Sequence, residues 1–106
     1  MVEKQYDLVV IGAGPGGYVA AIRAADLGRE VTLVEENDRL GGVCLTEGCI
    51  PSKTIIHAVE LMDELRAAKK MGITASDLRL DPRALRQWTE SVVDGLTRGV
   101  AGLLEK

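Results

Sequence analysis

Tyr6-Asp7-Leu8-Val9-Val10-Ile11-Gly12-Ala13-Gly14-Pro15-Gly16-Gly17 is the stretch on which the fold turns. Residues 6–11 form a short, apolar, β-rich run that stops abruptly at Gly12, and such a run reads as a buried parallel strand. From Pro15 to Leu27 the composition turns to Ala, Arg and Ile, with Val19, Ile22 and Ala25/Asp26 at helical spacing, and Gly28 ends the pattern. Val31 to Glu35 is a second β-rich run. Strand, helix and strand within about 30 residues predict a βαβ unit with a right-handed crossover.

The glycines between the first strand and its helix match G-x-G-x-x-G in the setting that gives the pattern meaning. Gly12 permits the turn off the strand, Gly14 lets a pyrophosphate approach the backbone, and Gly17 lets the helix pack closely on the sheet. Pro15 opens the helix, whose free N–H groups and positive dipole end face the phosphates. Glu35 ends the second strand 18 residues beyond Gly17. There a carboxylate can accept hydrogen bonds from an adenosine ribose, and it disfavours a 2′-phosphate, so NADP does not suit the site. These residues do not separate FAD from NAD, because both carry the adenosine half. Tyr18 reads as a packing residue.

Further along, Asn37 to Gly42 reads as a turn-rich loop. A helix is expected from Pro51 to about Met71, with Ile55, Val59, Met62 and Leu65 on its apolar face and Gly72 as its stop. A last helix is expected to start with Asp81 as N-cap and Pro82 in the first position. Its apolar face is expected to be Leu85, Trp88, Val92, Leu96, Val100 and Leu103. Gly95, Gly99 and Gly102 weaken that helix as a free-standing coil but permit close packing.

The whole chain sets outer bounds. Its 106 residues give one modest domain, and 46% hydrophobic with 27% charged residues is a globular composition. A net charge of -3 supplies no basic field, which argues against a nucleic-acid partner or an acidic membrane surface. The apolar runs are too short for a membrane span, and the opening residues lack a signal-peptide layout, so the cytoplasm is the expected location.

Cys44-Leu45-Thr46-Glu47-Gly48-Cys49 holds both cysteines. In a regular helix residues five apart have Cα atoms roughly 8 to 9 Å apart, whereas a disulfide needs them within about 7 Å. A bridge would require a distorted turn, which Gly48 and Pro51 suit. So short a loop constrains the unfolded chain little, which favours a reactive role over a structural one. A thiolate near a helix N-terminus beside Lys53 would have a lowered pKa. Metal binding is disfavoured, since only His57 remains as a further ligand. Spacing alone also admits two unrelated buried thiols.

Gly41-Gly42-Val43-Cys44-Leu45-Thr46-Glu47-Gly48-Cys49-Ile50-Pro51-Ser52-Lys53, following the glycine loop and Glu35, resembles the pyridine nucleotide–disulfide oxidoreductases. Within the family it is most similar to the dihydrolipoamide dehydrogenase branch, and the likeness covers nearly the whole chain. Mercuric reductases share Pro-Ser-Lys, whereas glutathione and trypanothione reductases usually carry Lys at the place of Ser52. The resemblance implies an α/β fold, an incomplete Rossmann-like FAD-binding domain in which the βαβ unit is followed by two long helices. It implies that residues 1–106 are the N-terminal part of that domain. Further strands, an NAD-binding domain and a dimerisation domain with a His–Glu acid/base are expected elsewhere.

The resemblance also implies FAD as cofactor, bound through Gly12, Gly14, Pro15, Gly17, Glu35, Gly42 and Lys53, with its isoalloxazine over the cysteines. Cys44 would be the interchange thiol, Cys49 the flavin-side thiolate, and Lys53 a charge near the flavin N5. The implied partner is dihydrolipoamide on a lipoyl domain, with NAD+ as final acceptor. Thr46 and Glu47 depart from the common Asn-Val, and an acid so close could raise the thiol pKa values. His57 reads as a packed helix residue rather than a base. A two-stranded parallel sheet is seldom stable alone, so this chain is expected to associate with itself or with another chain, or to be poorly ordered, and to bind FAD weakly. The alternatives are a non-catalytic module that self-associates through its two long helices, or the same portion of another flavoprotein disulfide reductase such as a mercuric reductase.

Overall fold

The computed structural model describes residues 3–106. Strand β1 (Leu8–Ile11) lies parallel to β2 (Val31–Val34), with Leu8 opposite Val31 and Ile11 opposite Val34. Between them α1 (Pro15–Asp26) crosses over, so the α/β class and the βαβ unit expected from the sequence are present. Tyr6 and Asp7 lie outside the strand. There the Asp7 and Leu8 N–H groups converge on the Glu30 carbonyl at 2.8 and 3.2 Å, while the Asp7 carboxylate accepts from the Glu30 N–H.

The strands are not buried as the sequence pattern predicted. Val9 is 52% exposed and Ile11 86% exposed. A run apolar on both faces expects cover on both faces, and two strands with one crossover helix do not supply it.

Beyond β2 the chain forms a short helix that the sequence reading missed, α2 (Gly42–Thr46). Then comes α3 (Cys49–Ala67), which begins two residues before Pro51 and tightens into a 3₁₀ turn over Ala68–Met71. Gly72, with φ +81°, closes that segment. The last helix, α4 (Pro82–Leu104), starts as expected: the Asp81 carboxylate accepts from the N–H groups of Arg83 and Ala84 at 2.8 and 3.3 Å. α3 packs along α4, and α2 sits against both.

The buried faces of the long helices are rotated from those the apolar pattern predicted. In α3, Ile55 and Val59 are exposed while Thr54 and Ala68 are buried, with Ala58, Met62 and Leu65 half-buried between them. In α4, Trp88, Leu96 and Leu103 are exposed and Thr89 and Val93 are buried in their place, whereas Val100 is buried as expected and Leu85 and Val92 are half-buried. The cause lies in threonine chemistry. Thr54, Thr89 and Thr97 donate their hydroxyls to the carbonyls of Ile50, Leu85 and Val93 at 2.8–2.9 Å. With the hydroxyl satisfied inside its own helix, the methyl can pack inward like that of valine.

The molecule is long, at 69 × 26 × 19 Å, with a radius of gyration of 20.2 Å. A compact domain of this length would have roughly 13 Å. Its surface of 8307 Å² also exceeds the roughly 5,800 Å² expected of a compact monomer. Among the described residues no helix is long and apolar enough to cross a membrane.

Candidate functional site

The glycine loop asks for glycine in two ways, by a positive φ of +98° at Gly12 and by close backbone packing at Gly17. Gly12 donates its N–H to the Val34 carbonyl at 2.7 Å, continuing the ladder past the strand end. Gly14 then N-caps α1, with Pro15 in the first helical position. A Cβ on Gly17 would overlap the Gly12 carbonyl oxygen, so the first turn of α1 rests directly on the loop backbone. The leading N–H groups of α1 lack acceptors within the helix, which suits an anion.

Glu35 reaches across this loop from the end of β2. Its Oε2 accepts the Ala13 N–H at 2.7 Å, and Ala13 is fully buried. Its Oε1 accepts both the backbone N–H and the side-chain Nδ2 of Asn37, each at 3.0 Å. The Ala13 N–H foremost, then that of Asn37, stabilise the charged form and hold the carboxyl below the usual glutamate range.

The cysteine hairpin is docked onto the same loop. Gly41 donates to the Ala13 carbonyl at 2.8 Å. At Gly42 the backbone has φ +83°, and a Cβ would lie 2.9 Å from the Gly14 Cα. That closeness suits the cradle of a dinucleotide, whose pyrophosphate needs bare backbone on both sides. From Gly42 the chain turns through α2, on which Cys44 sits, to Cys49, the first residue of α3.

Cys44 and Cys49 form a disulfide, with Cα atoms 4.8 Å apart. The distortion that the spacing demanded occurs at Gly48, between the two helices, where a side chain would press on the Cys44 Cα at 3.3 Å. Both cysteines are exposed, which excludes the reading of two unrelated buried thiols. The bridge is therefore open to a reductant. Lys53 is exposed one turn beyond Cys49, on the same side of α3.

Thr46 donates its hydroxyl to the Gly42 carbonyl at 3.1 Å, and Glu47 is exposed at the end of α2. His57 is exposed rather than packed, with its ring centroid 6.4 Å from that of Trp88. Among the described residues no cluster of His, Cys, Asp and Glu could hold a metal. An ion pair of 2.9 Å from Arg39 to Asp94 ties the loop before the cysteines to α4.

Two hollows flank Glu35 and Asn37. A groove of about 620 Å³ runs between α1, β2 and the end of α4, walled by Ile22, Leu33, Leu40 and Leu104. Asp26, Glu35, Asn37 and Lys106 line it together with these apolar walls. A smaller cleft of about 270 Å³ lies between Asn37–Arg39 and the outer side of α2. Asn37, which sequence reasoning passed over, borders both. A polar turn residue two places after a strand-end acid is the signal that could have found it.

Residues 6–106 match the pyridine nucleotide-disulphide oxidoreductase family model. The chain is 56% identical over 99 residues to the dihydrolipoyl dehydrogenase of Bacillus subtilis (strain 168), covering 93% of this chain and 21% of that protein. It is 52% identical over 99 residues to the enzyme of Geobacillus stearothermophilus, with the same coverage. With the mitochondrial dihydrolipoyl dehydrogenase of Dictyostelium discoideum it shares 48% identity over 104 residues, covering 97% of this chain and 21% of that protein. The chain thus spans about a fifth of the length of the curated relatives it matches. With a paired Cys44 and Cys49 docked on a βαβ glycine loop, and a family match over nearly every residue, this chain belongs to the pyridine nucleotide–disulphide oxidoreductase family.

Proposed function

We propose that the chain is the FAD-binding and redox-disulfide portion of a dihydrolipoamide dehydrogenase. The carrying observation is the close approach of Gly42 to Gly14, which, with the bond from the Gly41 N–H to the Ala13 carbonyl, seats the disulfide hairpin against the glycine loop. Gly12, Gly14, Pro15, Gly17 and Gly42 would hold the pyrophosphate, and Glu35 would accept from the adenosine ribose. FAD, when bound, supplies the acceptor for the electron pair that the cysteines collect, with NAD+ as onward acceptor in the full-length enzyme.

The chain's own part is thiol–disulfide exchange. One thiolate of dihydrolipoamide attacks the Cys44 sulfur, the Cys44–Cys49 bond breaks, and its electron pair leaves on Cys49. The second lipoyl sulfur, having lost its proton, displaces Cys44 and closes the lipoyl disulfide. Of the two substrate protons, one ends on the Cys44 thiol and the other passes to solvent. Cys49 stays a thiolate, stabilised by the start of α3 and by Lys53. The acid/base, the NAD site and the lipoyl-domain contacts belong to the rest of the full-length enzyme, and the 106 residues alone are inactive on this reading.

A visible spectrum tests the reading. With excess FAD and partial reduction, the chain should develop long-wavelength absorbance that Cys44→Ser retains and Cys49→Ser removes. A colourless, oligomeric, helix-rich sample with unresponsive cysteines would instead favour a self-associating module, a reading supported by the exposed Trp88, Leu96 and Leu103 of α4.

A further inference from the structure

The Glu35 carboxylate already accepts three hydrogen bonds before any ligand arrives. An ionised carboxylate offers about four acceptor positions, two on each oxygen. Both positions of Oε1 are taken by Asn37, through its backbone N–H and its Nδ2, and one position of Oε2 is taken by Ala13. A single position remains, on Oε2. A vicinal diol presenting two hydroxyls therefore finds room for one, unless the Asn37 side chain leaves.

Resting on the reading of this loop as a dinucleotide site, we propose that Asn37 is a specificity-determining residue that saturates Oε1 of Glu35 and restricts the site to one ribose hydroxyl. Asn37 lies at the meeting of the groove along β2 and the cleft beside α2. An occupant entering from either hollow meets its amide beside Glu35. The surrounding charges do not compete for Oε1. Glu36 and Asp38 repel it, Asp26 and Lys106 line the same groove as Glu35, and Arg39 is engaged by Asp94.

The test uses the isotopically labelled 106-residue chain with adenosine 5′-diphosphate and its 2′-deoxy and 3′-deoxy forms, with affinity read from amide shift changes. In the wild type, one deoxynucleotide should bind about tenfold more weakly than the parent and the other within about twofold, as expected for one hydrogen bond to a charged acceptor. In Asn37→Ala both should lose about tenfold. The Glu35 carboxyl carbon should also titrate closer to the ordinary glutamate range in the variant. Asn37 is exposed, and Asn37→Gly, which also removes the side-chain donor and tolerates any turn conformation, is a second variant should Asn37→Ala fold poorly. Equal losses for both deoxynucleotides in the wild type, or a Glu35 titration unmoved by removal of the Asn37 amide, would overturn the proposal and leave the nucleotide reading standing. Failure of the parent nucleotide to bind the wild type overturns both.

Discussion

Glu35 shows how a single side chain ties local structure to acid stability. Its carboxyl sits below the usual glutamate range because the amides of Ala13 and Asn37 hold the charged form. A carboxyl with a lowered folded-state pKa contributes stability that is present above its unfolded value and lost as pH falls through the folded value. The chain should therefore keep this contribution at neutral and mildly acidic pH and lose it below the ordinary glutamate range. Urea unfolding followed from pH 7 downward should show a flatter acid limb in Glu35→Gln than in the wild type. Coincident limbs would mean that Glu35 carries no such linkage. Of the site at this scale, Glu35 and the glycines were legible because their spacing is dictated by one turn geometry. Asn37 was not, because its role depends on where a side chain two residues away has swung.

Glycine separates the elements into those packed by backbone and those with room to spare. In α1, Gly17 lies against the Gly12 carbonyl, on a residue whose N–H is tied to the Val34 carbonyl. In α4, a Cβ on Gly99 would meet nothing within 4 Å. Gly17→Ala should thus cost about 3 kcal/mol, while Gly99→Ala should stabilise by up to about 1 kcal/mol through helix propensity. Denaturant midpoints of the two variants check both signs, and similar shifts in both would refute the distinction. The existence and limits of α1, the Asp81 cap and the Gly72 stop were legible because each depends on neighbours in sequence. The facing of α3 and α4 was not. Both helices carry apolar side chains on more than one face, and Thr54, Thr89 and Thr97 pack inward only because each hydroxyl finds a carbonyl one turn back. α2 was missed because five residues with Gly at their head have no periodic pattern to read.

At the level of the whole molecule, the exposed strands and the excess surface point the same way. Val9, Ile11 and Val34 are all more than half exposed, on a sheet with two free edges. Such edges and faces invite pairing. Sedimentation equilibrium at micromolar concentration should therefore find dimers or larger species of the 106-residue chain, and a strictly monomeric sample would contradict this. The family's wider architecture was legible only through the cysteine motif, since composition and charge bound little beyond a globular class. The elongated shape leaves a mark of its own in the light the protein emits. Its one tryptophan, Trp88, rides on α4 in a body 69 Å long and 26 by 19 Å across. Diluted below the concentration at which it associates, such a rod tumbles slowly end over end and spins quickly about its length, so the polarised emission of Trp88 should then decay with two correlation times where a sphere would give one.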